Sequence, residues 1–357
     1  MMELFNSNNP KSLRISTAEK LGLISNLATM LSAGISILEV VDSLLEDAKG
    51  NQKKLLDSLK ADLAQGNHVS DALAKFPKIF DKITVNLIKA SEEAGTLDVT
   101  LVDLKSSIKK DAEFMDKIKG ALTYPVLILF VFVGVLVMIL IVVIPKISSV
   151  FLRLNVDLPL PTQILIGMSQ VLTQYTIFVF LGLAVIGIGG FLFYREKKRT
   201  FLHFLFMLPL VSTLSQQIDL TRFSRSLYLL LNAGIPIAAA LELAQEVVLK
   251  KEVSDAIGHC KDVVLAGSEL SDGLKNAKNI FPNIMIKITE AGEKSGSLDK
   301  SMQDVSEYLD YQVENTLKTL TTLLEPLMLI FVGVLVGGMM LSIIAPIYGL
   351  IGQVSSH

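Results

Sequence analysis

The chain carries two copies of one pattern, and the register between them is almost unbroken. The segment Gly66–Leu73 returns 201 positions later as Gly267–Leu274, with Ser70-Asp71 matched by Ser271-Asp272. In the same register Ile79-Phe80 returns as Ile280-Phe281, Glu92–Asp98 as Glu293–Asp299, and Tyr124-Pro125 as Glu325-Pro326. Pro145 likewise matches Pro346. Upstream, Ala33–Ile37 matches Ala233–Ile237 at 200 positions, so one residue has been gained between the blocks. A repeat of this length limits the architecture before any single residue is weighed, because each copy must fold to the same unit. Each copy also ends in a stretch too apolar for a soluble fold.

Composition makes that last point firm. Of 357 residues 51% are hydrophobic, and the excess sits in three places. Ala121–Ile144, Ile164–Tyr194 and Pro326–Ile351 carry no Asp, Glu, Lys or Arg. Each exceeds the ~20 apolar residues that cross a bilayer, and a buried soluble helix rarely runs so far without a charge. The expected membrane helices are 119–145, 164–194 and 320–350. The polar first ten residues hold no apolar core of a secretory signal, so none is expected to be cleaved. Lys109, Lys110, Lys117 and Lys119 precede the first span, and Arg195, Lys197, Lys198 and Arg199 follow the second. The positive-inside bias then puts both soluble domains in the cytoplasm and the carboxyl terminus outside.

The resulting plan is a short tail (1–15), a first helical domain (16–118), the first span, and an external loop (146–163). The second span, a basic and interfacial segment (195–212), a second domain (213–319), the third span and an external tail (351–357) follow. No sustained period-2 pattern appears outside the membrane, so the fold class is all-α. Each soluble unit reads as six helices. Ser16–Glu19 and Ser36–Glu39 are capping boxes, in which a hydroxyl and a carboxylate satisfy orphan amides reciprocally. Gly34, Gly66, Gly95 and Gly296 stand where left-handed helix ends are wanted. Ser70-Asp71 caps a short fourth helix. The sixth helix has no breaker from about Leu97 to Pro125, so one rod of roughly 45 residues, about 70 Å at 1.5 Å per residue, runs into the first span.

Chemistry-bearing constellations are sparse. Gly292–Gly296 superficially resembles a phosphate-binding loop, but Glu293 occupies the glycine position and no strand precedes it, so a helix end and turn is the reading. No cofactor is expected and the chain does not read as an enzyme. The single cysteine, Cys260, excludes an internal disulfide, and its neighbour His259 points about 100° away on a helix, so no metal site is read there. A net charge of −2 gives no basis for nucleic-acid binding.

Candidate residues therefore concern partners and the bilayer. The repeated turns hold Glu92, Glu93, Gly95 and Asp98 in one copy and Glu290, Gly292, Glu293, Gly296 and Asp299 in the other. Their acids could meet a basic protein surface or a divalent cation, or serve as ordinary helix-dipole partners. Pro125 and Pro326 lie a few residues into a span, where they mark either a point of motion or a fixed kink. Glu325 is either an interfacial carboxylate or a functional one. Gly333, Gly337 and Gly338 form a small-residue face for close helix packing, within or between protomers.

Several of these stretches resemble a known family. Leu27–Ile35, Arg222–Leu227 through Gly234–Pro236, Glu290–Leu298, Tyr124-Pro125, Glu325-Pro326 and Leu158–Thr162 resemble the inner-membrane platform protein of type IV pilus and type II secretion systems, the GspF/PilC family. The resemblance covers about residues 16–350. The polar extension of longer members is nearly absent, and Ser91–Gly95 strays from the G-E-x-S-G form that the second copy keeps. The resemblance implies a non-enzymatic platform in the bacterial inner membrane whose partners are a hexameric assembly ATPase, pilins or pseudopilins, other inner-membrane assembly proteins, the lipid bilayer and a second copy of itself, a dimer first. A secondary transporter would want more spans and buried polar sites; a membrane-anchored signalling scaffold fits the topology without the motifs.

Overall fold

A computed structural model describes residues 10–153, 160–174 and 209–354. Among them the backbone is helical throughout, with no strand. The first repeat forms α1 (Thr17–Ser32), α2 (Ile37–Asp47), α3 (Gly50–Ala64), α4 (Val69–Ala74), α5 (Lys82–Ala94) and α6 (Leu97–Met138). A π-turn (Ile139–Val143) leads to α7 (Ile144–Arg153), followed by α8 (Leu160–Gln174). The second repeat forms α9 (Pro209–Asn232), α10 (Ile237–Gln245), α11 (Lys251–Leu265), α12 (Leu270–Lys275), α13 (Asn283–Ser295) and α14 (Leu298–Val354). The extra residue falls between α10 and α11: α2 and α10 start 200 positions apart, whereas α3 and α11 start 201 apart.

Local chemistry explains most boundaries. Ser16 completes a full capping box: its Oγ accepts from Glu19 N at 3.1 Å and Glu19 Oε2 accepts from Ser16 N at 2.7 Å. The second box is only half made: Ser36 Oγ accepts from Glu39 N at 3.4 Å, and Glu39 does not reach back to Ser36 N. Gly95 and Gly296 close α5 and α13 with φ of 70° and 69°, a conformation a side chain would strain. Ser70-Asp71 does not cap α4. His68 holds that position without a side-chain bond, and the amides are satisfied from elsewhere in the fold.

The described residues divide into two compact units. The first draws on the chain up to Lys117 and on Thr213–Asn315, so it contains the soluble parts of both repeats. Its two apolar clusters centre on Leu23, Leu27, Leu55, Leu56, Phe76 and Phe80 in the first repeat, and on Phe223, Leu227, Leu241, Ile257, Phe281 and Met285 in the second. All of these are at most 1% exposed. Within this unit Arg225 of α9, 6% exposed, donates to Asp111 of α6 and, at 2.5 Å, to Asp310 of α14. A mixed-charge cavity of about 350 Å³ beside it is lined by Lys20, Asp81, Asp111, Arg222 and Arg225 among others.

The second unit holds the apolar halves of α6 and α14 with α7 and α8. Two stretches, Leu97–Lys146 and Leu298–Gly338, are long and apolar enough to cross a membrane. Phe130 is 79% exposed and Leu341 70%, which water would penalise and lipid would not. Of the middle span expected at 164–194, residues 175–194 lie outside the described residues, as do Phe201–Leu208 of the interfacial segment. Pro145 explains the π-turn. Ile144 N donates to the Ile139 carbonyl five residues back, which releases the Leu140 carbonyl from its ordinary partner. Ser169 of α8 takes that place, its Oγ donating to Leu140 O at 2.5 Å. Among apolar helices such an interhelical hydrogen bond is worth about 1 kcal/mol.

Candidate functional site: the paired turns

The two turns expected to meet a partner are built alike, and the structure divides their residues into those that hold the turn and those that face outward. Glu92 reaches back 23 residues to α4. Its Oε1 accepts from Val69 N at 2.6 Å and its Oε2 from Ser70 N at 2.9 Å. Glu293 does the same for α12, accepting from Leu270 N and, at 3.0 Å, from Ser271 N. A carboxylate bridging two amides at a helix start satisfies orphan donors and meets the positive end of the dipole. Only 12% of the Glu92 side chain is exposed.

Gly292 is buried, and a methyl there would sit 2.2 Å from Ser301 Oγ, so α13 and α14 meet through the missing side chain. The first repeat has Ser91 at the same place, 1% exposed, with its hydroxyl turned back to Ile88 O at 2.8 Å. Gly95 and Gly296 lie at the exposed ends of their helices, Glu93 and Lys294 are exposed beside them, and Asp98 and Asp299 are half-buried in the first turns of α6 and α14. Glu290 is engaged on the surface by Lys294 at 2.6 Å and Lys275 at 3.5 Å. The hydrogen bond from Lys294, reinforced by the charge of Lys275, holds its carboxyl below the ordinary carboxylate value. The outward chemistry of the two turns thus differs: Glu93 and Lys89, which holds the position of Glu290, in the first, and a Lys275–Glu290–Lys294 cluster in the second. Among the described residues no group of three or more His, Cys, Asp or Glu could hold a metal ion.

The candidates in the apolar stretches behave differently. Pro125 lies inside α6 and Pro326 inside α14, both of which continue past them. Glu325 is exposed. A methyl added at Gly333, Gly337 or Gly338 would meet nothing within 4 Å, so no helix of the described chain packs closely on that face.

Sequence reasoning missed Asp219 and Arg225. Asp219 is fully buried and caps the α11 end of the second repeat, accepting from Leu249 N at 3.0 Å and Lys250 N at 2.7 Å. Burial pushes its carboxyl above the ordinary value in spite of those bonds. Nothing in its local pattern announces a cap thirty residues away. The Glu92 and Glu293 caps did leave a signal: the spacing from Val69 to Glu92 equals that from Leu270 to Glu293. Cys260 is buried against Gly273, and burial pushes its thiol up to about 12.

Comparison with known proteins agrees with this duplicated plan. The profile of type II secretion system protein F matches twice, over residues 23–145 and 223–346. The type IV pilus assembly protein PilC of Pseudomonas aeruginosa is 31% identical over 91% of this chain and 87% of its own length. PilC of Thermus thermophilus is 32% identical over 92% of this chain and 82% of its own length. A type II secretion system protein F of Aeromonas hydrophila is 28% identical over 95% of this chain and 88% of its own length. The two matches to the profile cover most of the chain, each taking in one helical repeat and its apolar extension, and the chain belongs to the type II secretion system protein F family.

Proposed function

We propose that this chain is the inner-membrane platform of a type IV pilus or type II secretion-type machine, and that it couples a cytoplasmic assembly ATPase to the extraction of pilins or pseudopilins. The observation that carries the reading is the duplicated architecture. Two helical repeats share one compact unit, and the last helix of each, α6 and α14, is continuous with a stretch apolar enough to cross a membrane. A part that grips a motor at one end and the bilayer at the other needs such rods; it needs no catalytic group of its own. Three spans, cytoplasmic repeats, an external carboxyl terminus and a homo-oligomer, a dimer first, belong to this proposal.

The exposed residues of the turns are the docking candidates: Glu93 in the first repeat and Glu290 with Lys294 in the second. Glu92, Glu293 and Gly292 support them by fixing the turn. Gly95, Gly296, Asp98 and Asp299 set where each rod begins, and the proline-containing stretches at Pro125 and Glu325-Pro326 are where its motion enters the bilayer. Charge reversal at Glu93 and Lys294 in the full chain, read by co-purification with the ATPase and by fibre assembly, tests this. Retention of both activities by the double variant removes the turns from the docking surface.

A further inference from the structure

The contact between the repeats is made by unlike faces. Ile83 and Leu87 of α5, 7% and 1% exposed, belong to an apolar cluster whose other members all come from the second repeat. Beside them Lys82 Nζ lies 2.6 Å from Glu246 at the end of α10. Asn232 of α9 donates to Asp103 of α6 at 2.8 Å, and Arg225 of α9 to Asp111 of α6. The α5–α6 side of the first repeat therefore sits on the α9–α10 side of the second. α6 also pairs with α14 through Lys110–Glu307 and Lys117–Glu314, so the faces that this heterologous contact leaves unused are α13 of the second repeat and α1–α2 of the first.

The unused stripe on α13 keeps the chemistry of its buried counterpart. Ile284, Ile288 and Ala291 stand where α5 has Ile83, Leu87 and Ala90, yet Ile284 is 38% exposed. Lys287 is exposed between them. The unused α1–α2 face is complementary. It presents Leu38, 36% exposed, and the exposed acids Glu39, Glu46 and Asp47, with Glu46 at the position that Glu246 holds in the second repeat. Gly22, Asn26 and Thr29 are exposed on α1 and are small enough for a neighbouring helix to approach.

We propose that the α13 stripe of one copy docks on the α1–α2 face of a second copy, repeating between chains the contact that joins the repeats within one. In that register Asn283 stands where Lys82 does, opposite Glu46, Ile284 stands towards Asp47 as Ile83 does towards Val247, and Lys287, one turn further along α13, reaches for the same acids. Two such contacts close a dimer in which four repeats form a ring. The inference rests on the homo-oligomeric platform reading and names its surface.

Full-length Ile284→Cys and Asp47→Cys chains, separately tagged and co-expressed, test it in membranes. The native Cys260 is buried and stays silent. A short bis-maleimide cross-linker is expected to give a covalent dimer carrying both tags at least about tenfold above either variant alone. Lys287→Glu should lower that yield several-fold, and Glu46→Lys in the other chain should restore it. A stronger dimer from Ile284→Cys alone would mean a like-with-like contact and overturn the proposal. So would a detergent-solubilised complex of more than one chain that gives no mixed dimer, or an unmodified chain that stays monomeric. ATPase co-purification and fibre assembly, measured on the same strains, report on the platform reading independently of these bands.

Discussion

Removing the Glu293 carboxylate should loosen one named helix and leave the rest of the second repeat intact. The two amides it serves, Leu270 N and Ser271 N, belong to residues that are 1% and 0% exposed, so water cannot take over. Hydrogen bonds to a charged acceptor contribute roughly 1.5–3 kcal/mol each, and loss of an ordinary cap costs about 0.5–2 kcal/mol. Local relaxation recovers part of this, which leaves about 3 kcal/mol for Glu293→Ala. The six residues of α12 cannot sustain a helix alone, so the loss appears as local opening. At about 1.4 kcal/mol per decade, hydrogen exchange in the 266–276 region should quicken roughly 100-fold. Glu293→Gln keeps one acceptor and should quicken it roughly tenfold. Glu92→Ala should do the same around Val69 and Ser70, where the bonds are 2.6 and 2.9 Å. Unchanged exchange in Glu293→Ala, together with lost ATPase binding, would refute the capping role and make Glu293 a contact residue.

Other expectations follow from the same geometry. Gly292→Ser should destabilise the second repeat by roughly 1–3 kcal/mol through overpacking against Ser301, and Ser301→Gly should recover most of it in thermal unfolding of the detergent-solubilised chain. Arg225→Met strands the Asp310 carboxylate and should cost about 3 kcal/mol, less than for a fully buried pair because Asp111 is half exposed. The Asp219 carboxyl holds its proton to higher pH than in the unfolded chain, where the ordinary value is 3.8. The folded state therefore binds more protons above that value, and this group's contribution to stability falls as pH rises through the raised value; Asp219→Asn should remove that slope. Ser169→Ala should free the Leu140 carbonyl and cost about 1 kcal/mol, visible as faster backbone exchange at Ile139–Val143.

What the sequence made legible was what depends on neighbours along the chain. The glycine ends at Gly34, Gly95 and Gly296 and the Ser16 box rest on residues within one turn of each other, and all are found. The false cap at Ser70-Asp71 failed because a local motif offers a partner and tertiary packing supplies a better one, the Glu92 carboxylate; the box at Ser36 is half made, with Glu39 exposed. The Glu92 and Glu293 carboxylates were read either as contacts to a partner or cation or as ordinary helix-dipole partners. They face inward because α4 and α12 begin with buried residues whose amides have no other acceptor. The pairing of the repeats through Ile83, Leu87 and Arg225 was invisible, since period and composition do not distinguish an exposed stripe from one covered by a sister domain. Only comparing Ile83 with Ile284 in space separates the two.

The central claim is that this chain passes motion from an ATPase to fibre subunits. Its most direct measurement is fibre assembly in a strain whose own copy is deleted, complemented by the full chain or by a version in which cysteines replacing Lys82 and Glu246 are joined by a reducible bifunctional cross-linker across that contact. The account predicts that both versions bind the ATPase and that only the freely moving chain, or the cross-linked one after reduction, assembles fibres. Normal fibre assembly by the fully cross-linked chain would contradict transmission through relative motion of the repeats, and fibre assembly in the deleted strain without any complement would contradict the platform role itself.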